Sequence, residues 1–329
     1  MIKYPSIDQF RNAIATVQKL SHKQHARRRE DGSIIEGQQR TWKFPPVVFR
    51  GTVKLHGTNA AVVIEDGKVR YQSRNRVLTP IDDNAGFAGW ASQHESLWKE
   101  VAAPFGNIVV FGEWCGRGIQ KGVALSELDP MFVVFEAWKI DGGFIKIDQL
   151  SPLPEQTFRA TDFPNWQLEI DFENPQLVQN RLVEITMAVE AECPVGKAFG
   201  VSGIGEGVVW SADIGDERVR FKVKGEKHST HRVRTLAAIT AEDPGTLAQF
   251  VEDALTPARL QQGLDWLTEQ GLPHTVQSTG DYVRWIVGDV VKEESDTMAA
   301  GGLDVAIVKK RIGTATALRF KSQVWAEAA

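Results

Sequence analysis

Cysteine is scarce. Cys115 and Cys193 are the only two in 329 residues, which excludes a disulfide framework as the source of stability and points to a reducing, cytoplasmic setting. No run of about 18 apolar residues occurs, so no membrane span is expected. Residues 1–14 lack the apolar stretch of a signal peptide. An excess of either charge is also missing. Lys and Arg total 38 against 42 Asp and Glu, a formal net charge of −4. On its face this argues against a nucleic-acid partner, which usually shows as a basic excess, although net charge says nothing about distribution. What is present is ordinary for a globular protein: 42% apolar and 24% charged residues, which exclude a disordered or collagen-like chain. The length suffices for a large core and suggests about two domains.

The charge is unevenly spread. Glu217–Arg234 holds seven Lys or Arg against two Glu, and Ala241–Thr297 holds three against eleven Asp or Glu. From Met298 onward the balance is five basic against two acidic. The switch near residue 235 is a candidate boundary. Before it, short β-rich runs alternate with turns: Val47–Phe49, Val53–Leu55, Ala60–Ile64, a hairpin turn at Asp66-Gly67, then Val69–Tyr71. Ile108–Glu113, Phe132–Trp138, Phe144–Ile147, Gly207–Ser211 and Val219–Val223 continue the pattern. A helix is expected over Gln176–Ala191, with Leu177, Leu182, Ile185 and Val189 near one face. Beyond residue 240 helices are expected over Thr246–Leu255, Pro257–Glu269 with Thr256 as N-cap, Gly280–Lys292, and one or two within Asp304–Trp325. The reading is an α+β domain over 1–235 and a small all-α domain over 236–329. The basic run Arg27–Arg29 reads as an exposed loop or a phosphate contact.

The densest chemistry lies in Lys54-Leu55-His56-Gly57-Thr58-Asn59, between two strands. A lysine at a strand–loop junction becomes a nucleophile when its neighbours stabilise the neutral form. Gly57 lets backbone approach a phosphate, and His56, Thr58 and Asn59 offer polar groups around it. Downstream, Arg74 follows a hairpin strand, and Phe111-Gly112-Glu113 ends a strand before the turn Gly116-Arg117-Gly118. Phe135 and Glu136 lie in a strand, and Glu206-Gly207 opens another. Lys222 and Lys224, two apart, share one strand face, where a polyphosphate would relieve their repulsion. The plainer alternatives are a solvated lysine at 54, a solvated strand face for Lys222 and Lys224, core packing for Phe135 and a structural role for His56. Cys115 reads as a small packed hydrophobe, and Trp114, Trp138 and Trp210 as core.

In order and spacing these residues resemble the covalent nucleotidyltransferases, the superfamily of ATP-dependent ligases and RNA capping enzymes. More specifically, they resemble the RNA ligase 2 family. Lys54-x-His56-Gly57-Thr58-Asn59 matches the nucleophile motif, and Arg74 the arginine of the next. Phe111-Gly112-Glu113 with Gly118-Ile119-Gln120-Lys121 matches the third motif and its extension. Phe135, Glu206-Gly207 and Lys222-x-Lys224 match those that follow. Three positions depart from the pattern. Glu136 stands where the family's phage enzyme has aspartate, Arg117 where a small residue or proline is expected, and Val53 where some relatives carry a carboxylate that reads the adenine amino group.

The resemblance implies an ATP-grasp-like ligase domain of mixed, mainly antiparallel sheets with helices, and an RNA ligase sealing 3′-hydroxyl and 5′-phosphate ends. The substrates implied are nicks in duplex RNA or RNA–DNA hybrids, in RNA repair. Lys54 would form a lysyl–AMP bond and needs a nearby cation or metal to depress its pKa. Glu113 would take the ribose hydroxyl, and Phe135 would stack on adenine. Glu206, with Glu113, would hold hydrated Mg²⁺ or Mn²⁺, and Lys222 and Lys224 would neutralise the α-phosphate. His56, Gly57, Asn59 and Arg74 would contact phosphates or the RNA end. No membrane and no obligate protein partner are expected. Two alternatives remain at this stage: a DNA ligase or capping enzyme of the same superfamily, or an RNA-end binder without catalysis.

Overall fold

The computed structural model describes residues 1–25, 30, 45–225, 244–295, 298 and 303–328. The chain forms two compact units, Met1–Gly225 and Glu226–Ala329. The boundary expected near residue 235 and the run Arg27–Arg29 both lie outside the described residues.

The first unit carries two β-sheets. Its strands in chain order are β1 (Asp8–Gln9), β2 (Val47–Lys54), β3 (Thr58–Glu65), β4 (Lys68–Ser73), β5 (Val77–Leu78), β6 (Ile108–Cys115), β7 (Met131–Lys139), β8 (Phe144–Ile145), β9 (Thr157–Arg159), β10 (Asn165–Ile170), β11 (Gly207–Ile214) and β12 (Glu217–Lys224). One sheet has the order β1-β12-β11-β2-β10, and the other β5-β4-β3-β6-β7-β8 with β9 beside β7. Pairing is antiparallel except β1 with β12 and β9 with β7. The sheets share an apolar core to which Phe49, Trp210 and Phe221 contribute from the first, and Cys115, Met131 and Val133 from the second.

The second sheet is covered on both faces, which explains why β3 and β6 read as continuous apolar runs. Ala60, Val62, Ile108 and Val110 pack under α2 (Phe87–Gln93) and α3 (Glu95–Ala102) with Phe87, Ala91, Trp98 and Val101. Ala61, Val63, Val109 and Phe111 face the other way, with Tyr4. The Asp66-Gly67 turn forms as its sequence demands, with both φ angles positive, 51° and 72°.

Several elements differ from the sequence reading. β2 runs unbroken through Gly51, because that residue is a close approach rather than a break: a Cβ there would lie 2.8 Å from the Trp210 ring. Strand β8 ends at Ile145, and Ile147–Gln149 turns as a 3-10 helix. Leu177 does not join the face of Leu182, Ile185 and Val189. It lies in a 3-10 turn, Pro175–Val178, before α4 (Gln179–Ala191), and the change of helical phase leaves it 75% exposed. The helices α1 (Phe10–His25), α2, α3 and α5 (Pro194–Ala198), and strand β10, were not anticipated.

In the second unit the described residues form α6 (Pro244–Ala254), α7 (Pro257–Glu269), α8 (Thr279–Glu293) and α9 (Val305–Ala328), with no strand among them. Leu255, Leu264, Leu267, Tyr282, Ile286, Val290, Ile312 and Phe320 make its core. The Thr256 hydroxyl accepts from the Arg259 backbone N–H, as expected of an N-cap. No described helix is long and apolar enough to cross a membrane. Arg259 is fully buried, and its guanidinium donates to Asp289 (2.8 Å), to Glu294 (3.0 Å) and to the Ala254 carbonyl. Removing one partner of such a cluster strands the others, so Arg259→Ala is expected to cost about 3 kcal/mol. Chemical denaturation followed by circular dichroism checks this.

Candidate active site

Three strand ends create the site. β2 ends at Lys54, β11 begins at Gly207 and β12 ends at Lys224. Gly207 stands in register with Lys54 on one side and Lys224 on the other. Gly207 has φ +149°, and a Cβ there would lie 2.2 Å from the Val223 carbonyl oxygen. Only glycine permits this approach, which sets Glu206 at the end of all three strands. Lys54 Nζ donates to Glu206 Oε2 at 2.7 Å, and Lys224 Nζ lies 3.0 Å from Oε1. His56 Nδ1 is 3.4 Å from Oε2. The Glu206 side chain is 3% exposed, that of Lys54 20%.

This arrangement sets the protonation states. Burial alone would push the Glu206 carboxyl up, but the ammonium groups of Lys54 and Lys224, and then His56, outweigh it and hold it well below the usual carboxylate range. Burial would push Lys54 down, yet Glu206 and Glu113 raise it, with Arg74 opposing them. The protein's own side chains therefore do not depress Lys54, which corrects the neighbouring-cation half of that expectation and leaves its divalent-metal half as it stood. The neighbouring cation is there in Arg74, but two carboxylates outweigh it, and as these residues stand Lys54 is an ammonium ion.

The second sheet supplies the facing wall. The Gly57 N–H donates to Glu113 Oε1 at 3.0 Å. A Cβ on Gly57 would lie 2.3 Å from the Trp114 carbonyl oxygen, so this loop too packs backbone against backbone. Asn59 pairs in register with Glu113, and Thr58 accepts from Asn84 at 2.8 Å. Arg74 is exposed just beyond β4. On β7, register shifts at Phe111/Gly112 so that Phe111 opposes Glu136 and Gly112 opposes Val134, leaving Phe135 as an extra residue. This β-bulge turns Phe135 and Glu136 to the same face. Phe135 is half-buried, with its ring edge-on to Tyr4 at 5.0 Å. Lys222 shares the face of Lys224 on β12 and is in register with Val209.

Of the residues singled out from sequence, Lys54, His56, Gly57, Glu113, Glu206 and Lys224 converge, with Arg74 in electrostatic reach. Lys222, Asn59 and Phe135 lie on the strands that frame them. Cys115 is buried, with its thiol pushed up by burial and by Glu113. Trp114 and Trp210 are core, and half-buried Trp138 donates to Glu136 at 3.0 Å. Arg117 folds back onto its own loop, donating to the Glu127 carbonyl at 3.0 Å. Sequence reading missed Arg218 and Arg220, although the alternation Arg218-x-Arg220-x-Lys222-x-Lys224 marks all four as one strand face.

No group of three or more His, Cys, Asp or Glu among the described residues could enclose a metal ion. The Glu206 oxygens are engaged by lysines, and Glu113 Oε1 by a backbone N–H. These two carboxylates fit a hard, hydrated cation that takes its other ligands from water and phosphate oxygens, as Mg²⁺ does, rather than an all-protein cage.

Glu206→Gln is expected to lower the Lys54 pKa, because burial and Arg74 both act downward; NMR titration of the labelled lysine measures it. A carboxyl depressed on folding contributes stability above its unfolded pKa, about 4.3, and loses it as pH falls through the folded value. Acid titration of the melting temperature should show that loss in the unaltered protein and a smaller one in Glu206→Gln.

A comparison with curated proteins gives no match. Among solved structures, a Naegleria gruberi RNA ligase variant with ATP and Mn aligns at 17% identity and TM-score 0.45, over 69% of this chain and 57% of its own. A variant of the same protein with AMP and Mn aligns at 16% and 0.45, and an apo variant at 17% and 0.46, each over 69% of this chain and 56% of its own. This chain thus spans less than two thirds of the structures it resembles. The family model described as RNA ligase matches residues 48–224. That stretch is more than half of the chain and holds every residue of the site above, and the chain belongs to the RNA ligase family.

Proposed function

We propose that the protein is an ATP-dependent RNA ligase that seals 3′-hydroxyl and 5′-phosphate ends, at nicks in duplex RNA or RNA–DNA hybrid, in cytoplasmic RNA repair. The observation that carries the reading is Glu206 held between Lys54 and Lys224. A lysine is kept beside a buried carboxylate at the mouth of a cationic strand face, which suits attack on a phosphate.

Lys54 Nζ, once deprotonated, attacks the α-phosphorus of ATP; the N–P bond forms and pyrophosphate leaves. The RNA 5′-phosphate then displaces Lys54 from the AMP, and finally the RNA 3′-hydroxyl attacks and AMP departs. The proton on Lys54 lies in its hydrogen bond to Glu206 Oε2. Anything that draws negative charge from Glu206 frees the amine. A divalent cation held by Glu206 and Glu113 through water and phosphate oxygens would supply that charge neutralisation. Lys222 and Lys224 meet the α-phosphate as charge develops, from positions already fixed by the β11–β12 ladder. Phe135 offers its ring face to adenine, and Glu113 its remaining oxygen to the ribose. His56, the Gly57 backbone and Asn59 line the phosphate path, and Arg74 contacts phosphate or the RNA end.

The two motif carboxylates and both lysines on β12 are intact, which favours an enzyme over a passive RNA-end binder. The second unit, helical among its described residues, favours an RNA ligase over a DNA ligase or capping enzyme with an OB-fold there. With α-labelled ATP and Mg²⁺ the protein should acquire label, and Lys54→Ala should abolish it. Separate trials on nicked RNA, hybrid and DNA should show sealing of the first two. Truncation after residue 235 should spare lysine labelling and impair sealing, because every motif ends by Lys224. Equal loss of both activities would count against a separate role for the tail.

A further inference from the structure

Glu136 is 2% exposed and borders Phe135, yet its oxygens have no room for a ligand. Oε2 accepts from Tyr4 Oη at 2.7 Å and from Arg220 Nε at 2.9 Å. Oε1 accepts from Trp138 Nε1 at 3.0 Å, from Arg220 Nη2, and at 3.4 Å from Arg218 Nη1. A carboxylate offers about four acceptor sites, and here all are taken. Asp213 completes the cluster, binding the Arg218 Nε at 2.6 Å and Nη2 at 3.0 Å. Two carboxylates thus balance two guanidinium groups. Arg218 and Arg220 are spent on this joint, whereas Lys222 and Lys224 continue the same face toward Lys54.

The joint adds a polar tie between two sheets that already share an apolar core. Glu136 belongs to β7, one residue from the Phe135 ring; Arg220 belongs to β12, two residues from Lys222. A second tie runs parallel to it. Ile2 exchanges two hydrogen bonds with the Gln72 side chain on β4, at 3.0 and 2.6 Å. Asp8–Gln9 then pairs with β12, Gln9 opposite Lys222. Tyr4 sits between these anchors, stacked on Trp138, tilted against Phe111 and edge-on to Phe135.

We infer that Glu136, with Tyr4 and Arg220, is a positioning element that sets the span between the Phe135 ring and the Lys222/Lys224 pair, and so fits the site to the base-to-α-phosphate length of a nucleoside triphosphate. The inference rests on the ligase reading above. It assigns Glu136 no contact with nucleotide or metal, and makes the N-terminal segment part of nucleotide recognition.

The test is ATP–pyrophosphate exchange through Lys54, a turnover in which pyrophosphate returns the AMP to ATP, measured as a function of ATP concentration. Glu136→Gln keeps the size of the side chain but removes acceptor capacity and charge. Tyr4→Phe removes one hydroxyl donor and keeps the ring. In both variants KM for ATP should rise, about tenfold in Glu136→Gln and less in Tyr4→Phe, with kcat nearly unchanged. A merely structural role would instead lower the melting temperature and the active fraction, leaving KM as it was. Should Glu136→Gln fail to fold, Tyr4→Phe carries the test: a raised KM supports the joint. An unchanged KM in Tyr4→Phe, or a fall in kcat alone, overturns it. If the unaltered protein takes no label from ATP, the ligase reading falls and this inference with it, whereas labelling with KM unchanged in the folded variants removes the joint only.

Discussion

One buried carboxylate organises this molecule's chemistry. Glu206 faces Lys54 with one oxygen and Lys224 with the other. Neither lysine could approach the other so closely without it, since two ammonium groups in a half-buried site repel. Neither could Glu206 stay ionised where it is, because burial alone would push its carboxyl up. The three charges are therefore mutually dependent, and the strand ladder exists in the form that delivers them to one point. Gly207, in register with both lysines, is the backbone counterpart of that dependence.

The same logic appears twice at different distances from the centre. At Glu206 two lysines share a carboxylate in a place where a ligand's phosphates could compete for them. At Glu136 two arginines share a carboxylate whose sites are already filled by protein donors. The planar, forked guanidinium suits the second task, because it binds a carboxylate with fixed geometry. The compact ammonium suits the first, since it can let go and turn to a different anion. On the β12 face Arg218 and Arg220 thus take the building role, while Lys224 joins Lys54 of β2 at the Glu206 carboxylate.

Much of the site was legible because its residues sit at strand ends within short, ordered motifs. The glycines at 57 and 207 and the carboxylates at 113 and 206 keep fixed offsets from their neighbours, and those offsets survive without knowledge of the fold. The protonation state of Lys54 was not legible. Its decisive partner lies 152 residues away, and nothing local says that a carboxylate will outweigh Arg74. Glu136 was illegible for the same reason: apart from Trp138, its donors come from Tyr4 and β12. Helices α2 and α3, of seven and eight residues, are too short for a hydrophobic period to stand out. Leu177 misled because a 3-10 turn does not share the phase of the α-helix it precedes. The net charge of −4 decided little, because it averages the basic strand face with an acidic segment over 241–297.

The shared register of Lys54, Gly207 and Lys224 bears on how such a chain can change over time. Side chains on a strand alternate faces, so one inserted or deleted residue within β2, β11 or β12 would swing a lysine to the opposite side of the sheet. Away from Gly51 and Gly207, substitutions along these strands can be absorbed by repacking, but changes in length cannot. The turn joining β11 to β12, at Gly215-Asp216, lies at the other end of the ladder from Glu206. Length can vary there while the paired strands keep their alignment, which makes that turn the natural place for the sheet to accept new sequence.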